Sequence, residues 1–145
     1  MRFLLLLLFP LLFSCAKSNY VTTDDLQKQL DAVSGNSNLQ FEEEKLFLTM
    51  KWEVFPTEES LGSFIMKFHD RDNPDILISP LLTPAVILWM PSMGHGSSPV
   101  TIHLISEGTY RVSDVFFTMP GLWDIRFQLK NGSDIIEQQI LQITF

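Results

Sequence analysis

Leu122-Trp123-Asp124-Ile125-Arg126-Phe127-Gln128-Leu129-Lys130-Asn131-Gly132 decides the fold. Apolar and polar residues alternate with period two, so Trp123, Ile125, Phe127 and Leu129 share one face of an extended strand, as in a half-buried sheet. The run ends on Asn-Gly, a dipeptide that accepts the positive φ of a tight hairpin turn. A second strand then runs from Ile135 to Phe145.

The same period recurs upstream. Leu46, Leu48, Met50, Trp52 and Val54 alternate with Phe47, Thr49, Lys51 and Glu53, and Phe64, Met66 and Phe68 alternate with Ile65 and Lys67. Ala85 to Trp89 is almost wholly apolar and predicts a central strand. Val100 to Leu104 and Tyr110 to Thr118 complete the set, and Ile76 to Ile78 is a possible short edge strand in the proline-rich connection 70–84. Pro120-Gly121 fits the two central positions of a type II turn. With no convincing helix, these segments predict an immunoglobulin-like antiparallel β-sandwich of about seven strands over residues 41–145. Trp89 and Trp123 are expected in its core.

The N-terminus reads differently. Met1-Arg2 gives a positive start and Phe3 to Phe13 a nearly unbroken apolar run. As a helix that run covers only about 16 Å of a bilayer core of about 30 Å, which predicts a secretion signal over residues 1–14 rather than a membrane span. Leu12-Phe13-Ser14-Cys15 resembles a bacterial lipoprotein box, which makes Cys15 the lipidated first residue of the mature chain. Ala16 after it favours the outer membrane, facing the periplasm, by analogy with Gram-negative lipoproteins. Residues 15–40 are then the lipidated cysteine and a polar tether, with a possible short helix through Leu26, Leu30 and Val33. Glu42-Glu43-Glu44 reads as a solvated charge run.

Charge and cysteine usage exclude several classes of function. The chain is 145 residues long with 17 acidic and 10 basic residues, a net charge of −7. Removing Arg2 with the signal makes this −7 − 1 = −8. Nucleic acid is therefore not an expected partner, because phosphate binding needs clustered Lys and Arg. Cys15 is the single cysteine, so an acylated mature chain holds no disulfide and no thiolate metal site. Nor is there a nucleophile with a partner histidine, a paired-carboxylate spacing or a His-rich zinc set, and no enzymatic activity is expected.

Unusual chemistry is concentrated in Trp89-Met90-Pro91-Ser92-Met93-Gly94-His95-Gly96. Proline at the second position of Met90-Pro91-Ser92-Met93 favours a turn whose ends lie within about 7 Å, which can bring two thioethers together. His95 follows between glycines. If successive strands run antiparallel, strand parity puts this loop, the 56–62 connection and Met119-Pro120-Gly121 at one end of the sandwich, and His69 and Asn131-Gly132 at the other. Thioether plus imidazole favours Cu(I), since soft sulfur selects soft metal. Met90, Met93, His95 and Met119 are thus candidate metal ligands, while His103 reads as a strand-surface residue. The competing reading is that the methionines fill core gaps beside Trp89 or Trp123 and that His95 is a turn residue.

Met90-Pro91-Ser92-Met93-Gly94-His95-Gly96, then Gly108-Thr109-Tyr110, then Val115-Phe116-Phe117-Thr118-Met119-Pro120-Gly121-Leu122-Trp123 resembles the bacterial YtkA-like and FixH-like domain, strongest over 89–123. The resemblance implies an extracytoplasmic, membrane-anchored β-sandwich. In some contexts such domains are linked to copper delivery, cation transport or assembly of haem-copper oxidases. It implies Met90, Met93, His95 and Met119 as the motif residues and a structural Trp123. FixH-like members carry a transmembrane helix, whereas this chain is expected to carry a lipidated cysteine. Two functions follow as expectations: a lipoprotein that holds or passes Cu(I) to a copper-receiving protein, or a metal-free module whose loops contact another envelope protein.

Overall fold

The computed structural model describes residues 39–145, and the signal, Cys15 and most of the tether lie outside them. Nine strands follow in order: β1 (Leu39–Phe41), β2 (Leu46–Val54), β3 (Gly62–Asp70), β4 (Thr83–Met90), β5 (His95–Gly96), β6 (Thr101–Ser106), β7 (Thr109–Val115), β8 (Leu122–Asn131) and β9 (Asp134–Thr144). They form two antiparallel sheets, a larger one ordered β1-β2-β3-β7-β6 and a smaller one ordered β5-β4-β8-β9. With β1 and β5 set aside, the pairing is that of the ABED and CFG sheets of an immunoglobulin constant-type sandwich. The expected fold class is therefore observed.

Alternation is converted into a core between the sheets. Trp123, Ile125, Phe127 and Leu129 of β8 are all at most 1% exposed. They face Leu48, Phe64, Met66, Phe68 and Val112 of the larger sheet in one buried cluster, and Phe64 meets Phe127 edge to face at 6.1 Å. Each such side chain contributes about 1.5–3 kcal/mol through burial alone. The β8–β9 hairpin closes over a two-residue loop, Gly132-Ser133, with Gly132 at φ 61°. That is the sign a tight hairpin requires.

Several expectations are corrected by the pairing. β1 and β5 are too short for periodicity to reveal, and β1 crosses the expected boundary at residue 40: Leu39 and Phe41 are core. The 76–78 segment makes only an isolated bridge, His69 to Leu77. β4 is less central than its apolarity suggests, because β5 pairs only with Trp89 and Met90 and leaves 83–88 with β8 alone. Leu104 does not continue the inward face of β6 and is 62% exposed, next to a register shift between Leu104 and Ser106. Met119-Pro120-Gly121 is not a type II turn. Gly121 sits at φ 142° rather than near +80°, and its N–H and C=O both bond Phe145.

Trp89 is also not in the core. It points to the outer face of the smaller sheet, half-buried, with the Arg126 guanidinium 4.9 Å above its ring. Arg126 in turn pairs with Asp124, whose other carboxylate oxygen accepts from Gln142 Nε2. Apolar surface on β4 is thus covered by a cation–π contact instead of the opposite sheet.

The glutamate run is structural as well as solvated. Glu44 accepts hydrogen bonds from the Leu81 and Leu82 amides, Glu42 pairs with Arg71, and Glu137 accepts from the Glu42 and Glu43 amides. Glu107 holds the Ser79 amide at 2.6 Å. Hydrogen bonding from the Ser79 backbone holds the Glu107 carboxyl below its ordinary value of 4.5, and the Arg111 guanidinium does the same for Glu53. A carboxyl whose folded pKa is depressed stabilises the fold above its unfolded pKa and loses that contribution as pH falls through the folded value. Melting temperature should therefore drop on acidification from about pH 5 to about pH 3, and less steeply in Glu107→Gln. Equal pH slopes for both proteins would show that this carboxylate carries none of the effect.

Candidate functional site

One pole of the sandwich gathers the candidate residues. β4 ends there at Met90, and its neighbour β8 begins there, since Trp89 pairs with Asp124. β7 ends there too, because Val115 pairs with Gly62 at the start of β3. Phe145 joins the two sheets at this pole, with ring contacts to Phe55 at 6.4 Å and Phe117 at 5.2 Å. Strand parity is thus observed: the 56–62 connection, the 91–94 turn and the 116–121 loop share one end. His69 lies at the other end, paired with Phe47 near the start of β2.

The 91–94 turn is fixed by the Met90 carbonyl, which accepts from Met93 N at 3.2 Å and Gly94 N at 3.0 Å, with Gly94 at φ 67°. Met90 and His95 consequently face each other across the β4–β5 pair. Directly paired residues of antiparallel strands put their side chains on the same face, with Cβ atoms about 4.5–5.5 Å apart. That face is the inner one. Met90 is 4% exposed, and the half-buried His95 ring meets the buried Trp123 edge to face at 6.4 Å.

The second loop closes against the same side chains. Gly121 has no Cβ, and one placed there would lie 2.5 Å from Met90 Cε, so the Met90 methyl group rests on Gly121 itself. Met119 is half-buried against the core, and its carbonyl accepts from Trp123 Nε1 at 3.0 Å. Ser97 Oγ donates to the Phe116 carbonyl, tying the hairpin to the start of this loop. The Ser97 and Phe145 ties had no signal in the sequence beyond their positions next to glycine-rich turns.

His95 Nδ1 lies 3.1 Å from the Gly96 carbonyl. A carbonyl only accepts, so Nδ1 is the donor and the neutral ring carries its lone pair on Nε2. Among the described residues Nε2 has no hydrogen-bond partner. Met93 differs from Met90 in exposure. Its backbone is close to Met90, yet the residue is 57% exposed where Met90 is buried. The turn therefore brings the two main chains together with Met90 buried and Met93 at the surface. His103 is exposed on β6, as expected of a strand-surface residue. Among the described residues no group of three or more His, Cys, Asp and Glu side chains is placed to hold a metal ion, so a metal here depends on thioether sulfur.

No family model, curated protein or solved structure matches the chain.

Proposed function

We propose that this domain is the exposed part of a lipid-anchored envelope protein that binds and passes Cu(I), with Met90, His95 and Met119 holding the ion and Met93 meeting it first at the surface. The observation that carries this reading is the closure of Met90 on Gly121 directly across from His95. It sets a thioether beside an imidazole whose Nε2 is open, with the buried Trp123 ring edge to face against that imidazole. Thioether and neutral imidazole match Cu(I) in softness, and the Nδ1–H bond to a carbonyl is the kind of outer contact that orients a ligating histidine. The resemblance to YtkA-like and FixH-like domains supports the same residues, and the lipoprotein-box pattern Leu12-Phe13-Ser14-Cys15 supports the envelope location.

The test is competition for Cu(I) between the full chain in detergent and bicinchoninate. The native chain is expected to withdraw about one equivalent, and Met90→Leu, Met119→Leu and His95→Ala each to weaken binding at least about tenfold, with leucine conserving side-chain volume. One observation favours a second reading. Val54, Leu61, Met93 and Leu122 are 52%, 55%, 57% and 45% exposed around this same pole, a rim suited to contact with another envelope protein. No withdrawal of Cu(I) by the native chain would leave that metal-free module as the better account.

A further inference from the structure

The outer face of the larger sheet has a charge opposite to that of the chain as a whole. Met50 and Met66 point inward and are buried, so their neighbours Thr49, Lys51, Ile65 and Lys67 point outward. Register places Thr49 opposite Lys67 and Lys51 opposite Ile65, which makes the two lysines diagonal neighbours about 7–8 Å apart. Ile65 is also opposite Arg111 of β7. Arg111 is neutralised by a two-pronged pair with Glu53, at 2.8 and 3.0 Å. Lys51 and Lys67 form no ion pair among the described residues, in a chain with 17 acidic and 10 basic residues. Two adjacent ammonium groups thus remain uncompensated although carboxylates are abundant.

A groove of about 340 Å³ opens between them, lined by Thr49, Met50, Lys51, Ile65 and Lys67. One side is held in place by His69. Its Nδ1 donates to the Pro74 carbonyl at 2.7 Å, so in the neutral ring Nε2 accepts from the Thr49 hydroxyl at 2.9 Å. Phe47 stacks on the same ring at 4.6 Å.

We propose that this groove docks an acidic, extended polypeptide segment of a partner, with carboxylates on Lys51 and Lys67 and an apolar side chain over Ile65. Charge complementarity selects an acidic ligand. The concave floor and its isoleucine select an extended peptide over a flat bilayer. This site is on a different face from the methionine and histidine pole and stands independently of the copper reading.

The test uses the full chain in detergent and a fluorescent peptide of alternating glutamate and leucine, read by anisotropy. Binding is expected, weakened by salt at about 0.5 M, and absent for the glutamine-and-leucine peptide. The double variant Lys51→Gln/Lys67→Gln should bind about tenfold more weakly, the scale of two surface ion pairs lost, with an unchanged melting temperature. Lys130→Gln, on the smaller sheet, should bind like the native chain. Equal binding by the double variant would overturn the proposal. So would binding of phosphatidylglycerol vesicles that depends on Lys51 and Lys67 in the absence of peptide binding.

Discussion

Trp123→Ala is expected to lower stability by about 3–5 kcal/mol, the range for removing a fully buried aromatic ring. The ring is 0% exposed, packs against Phe117 at 5.2 Å, and donates its N–H to the Met119 carbonyl. Truncation therefore opens a large cavity and leaves a loop carbonyl without its donor. In a domain of this size the loss corresponds to a drop in melting temperature on the order of 20 °C, readable by circular dichroism. Trp123→Phe keeps most of the packing and loses the hydrogen bond, so it should cost about 1–2 kcal/mol. A Trp123→Ala chain that melts within a few degrees of the native one would mean that this pole is held together by other contacts.

Gly108→Ala should have the next largest effect. A Cβ at Gly108 would lie 2.6 Å from Ile78 N and 2.8 Å from the Phe68 carbonyl oxygen, both backbone atoms, in a residue already at φ 62°. The Gly108 carbonyl accepts from Phe68 N, and its own N–H bonds Ser79 Oγ, so the contact cannot relax without breaking these bonds. Positive φ contributes about 1–2 kcal/mol and the clash a further 1–3 kcal/mol. Gly132→Ala is the matched comparison. Its φ is 61° with nothing within 4 Å of the added methyl group, so only the conformational cost applies, about 1–2 kcal/mol. Equal denaturation midpoints for the two variants would contradict the close approach of the 78–79 segment to Gly108.

Much of this architecture is legible in the chain because sheet burial has a period of two. Trp123 to Leu129, Leu46 to Met50 and Phe64 to Phe68 announce their inward faces directly. Strand parity then fixes which loops share a pole without any knowledge of contacts. What parity does not carry is the direction of a side chain at a strand end. Met90 and Met93 are three positions apart in one turn, yet the first continues the inward alternation of β4 and the second lies beyond it, so one methionine is buried and the other exposed. Trp89 shows the same limit from the other side. It belongs to an apolar run, but its phase is outward, and only the cross-strand partner Arg126 explains how that surface is covered. Short pieces without a period, such as β1 and β5, and carboxylates that clip distant amides, such as Glu44 on Leu81 and Leu82, depend on tertiary contacts alone.

The central claim is that sulfur from Met90 and Met119 and nitrogen from His95 reach the same ion. The copper K-edge absorption spectrum of the full chain loaded with one equivalent of Cu(I) tests it most directly. Sulfur and nitrogen bonded to copper together, with sulfur lost in the Met90→Leu/Met119→Leu double variant, is the predicted result. A spectrum with nitrogen and oxygen neighbours and no sulfur would contradict it.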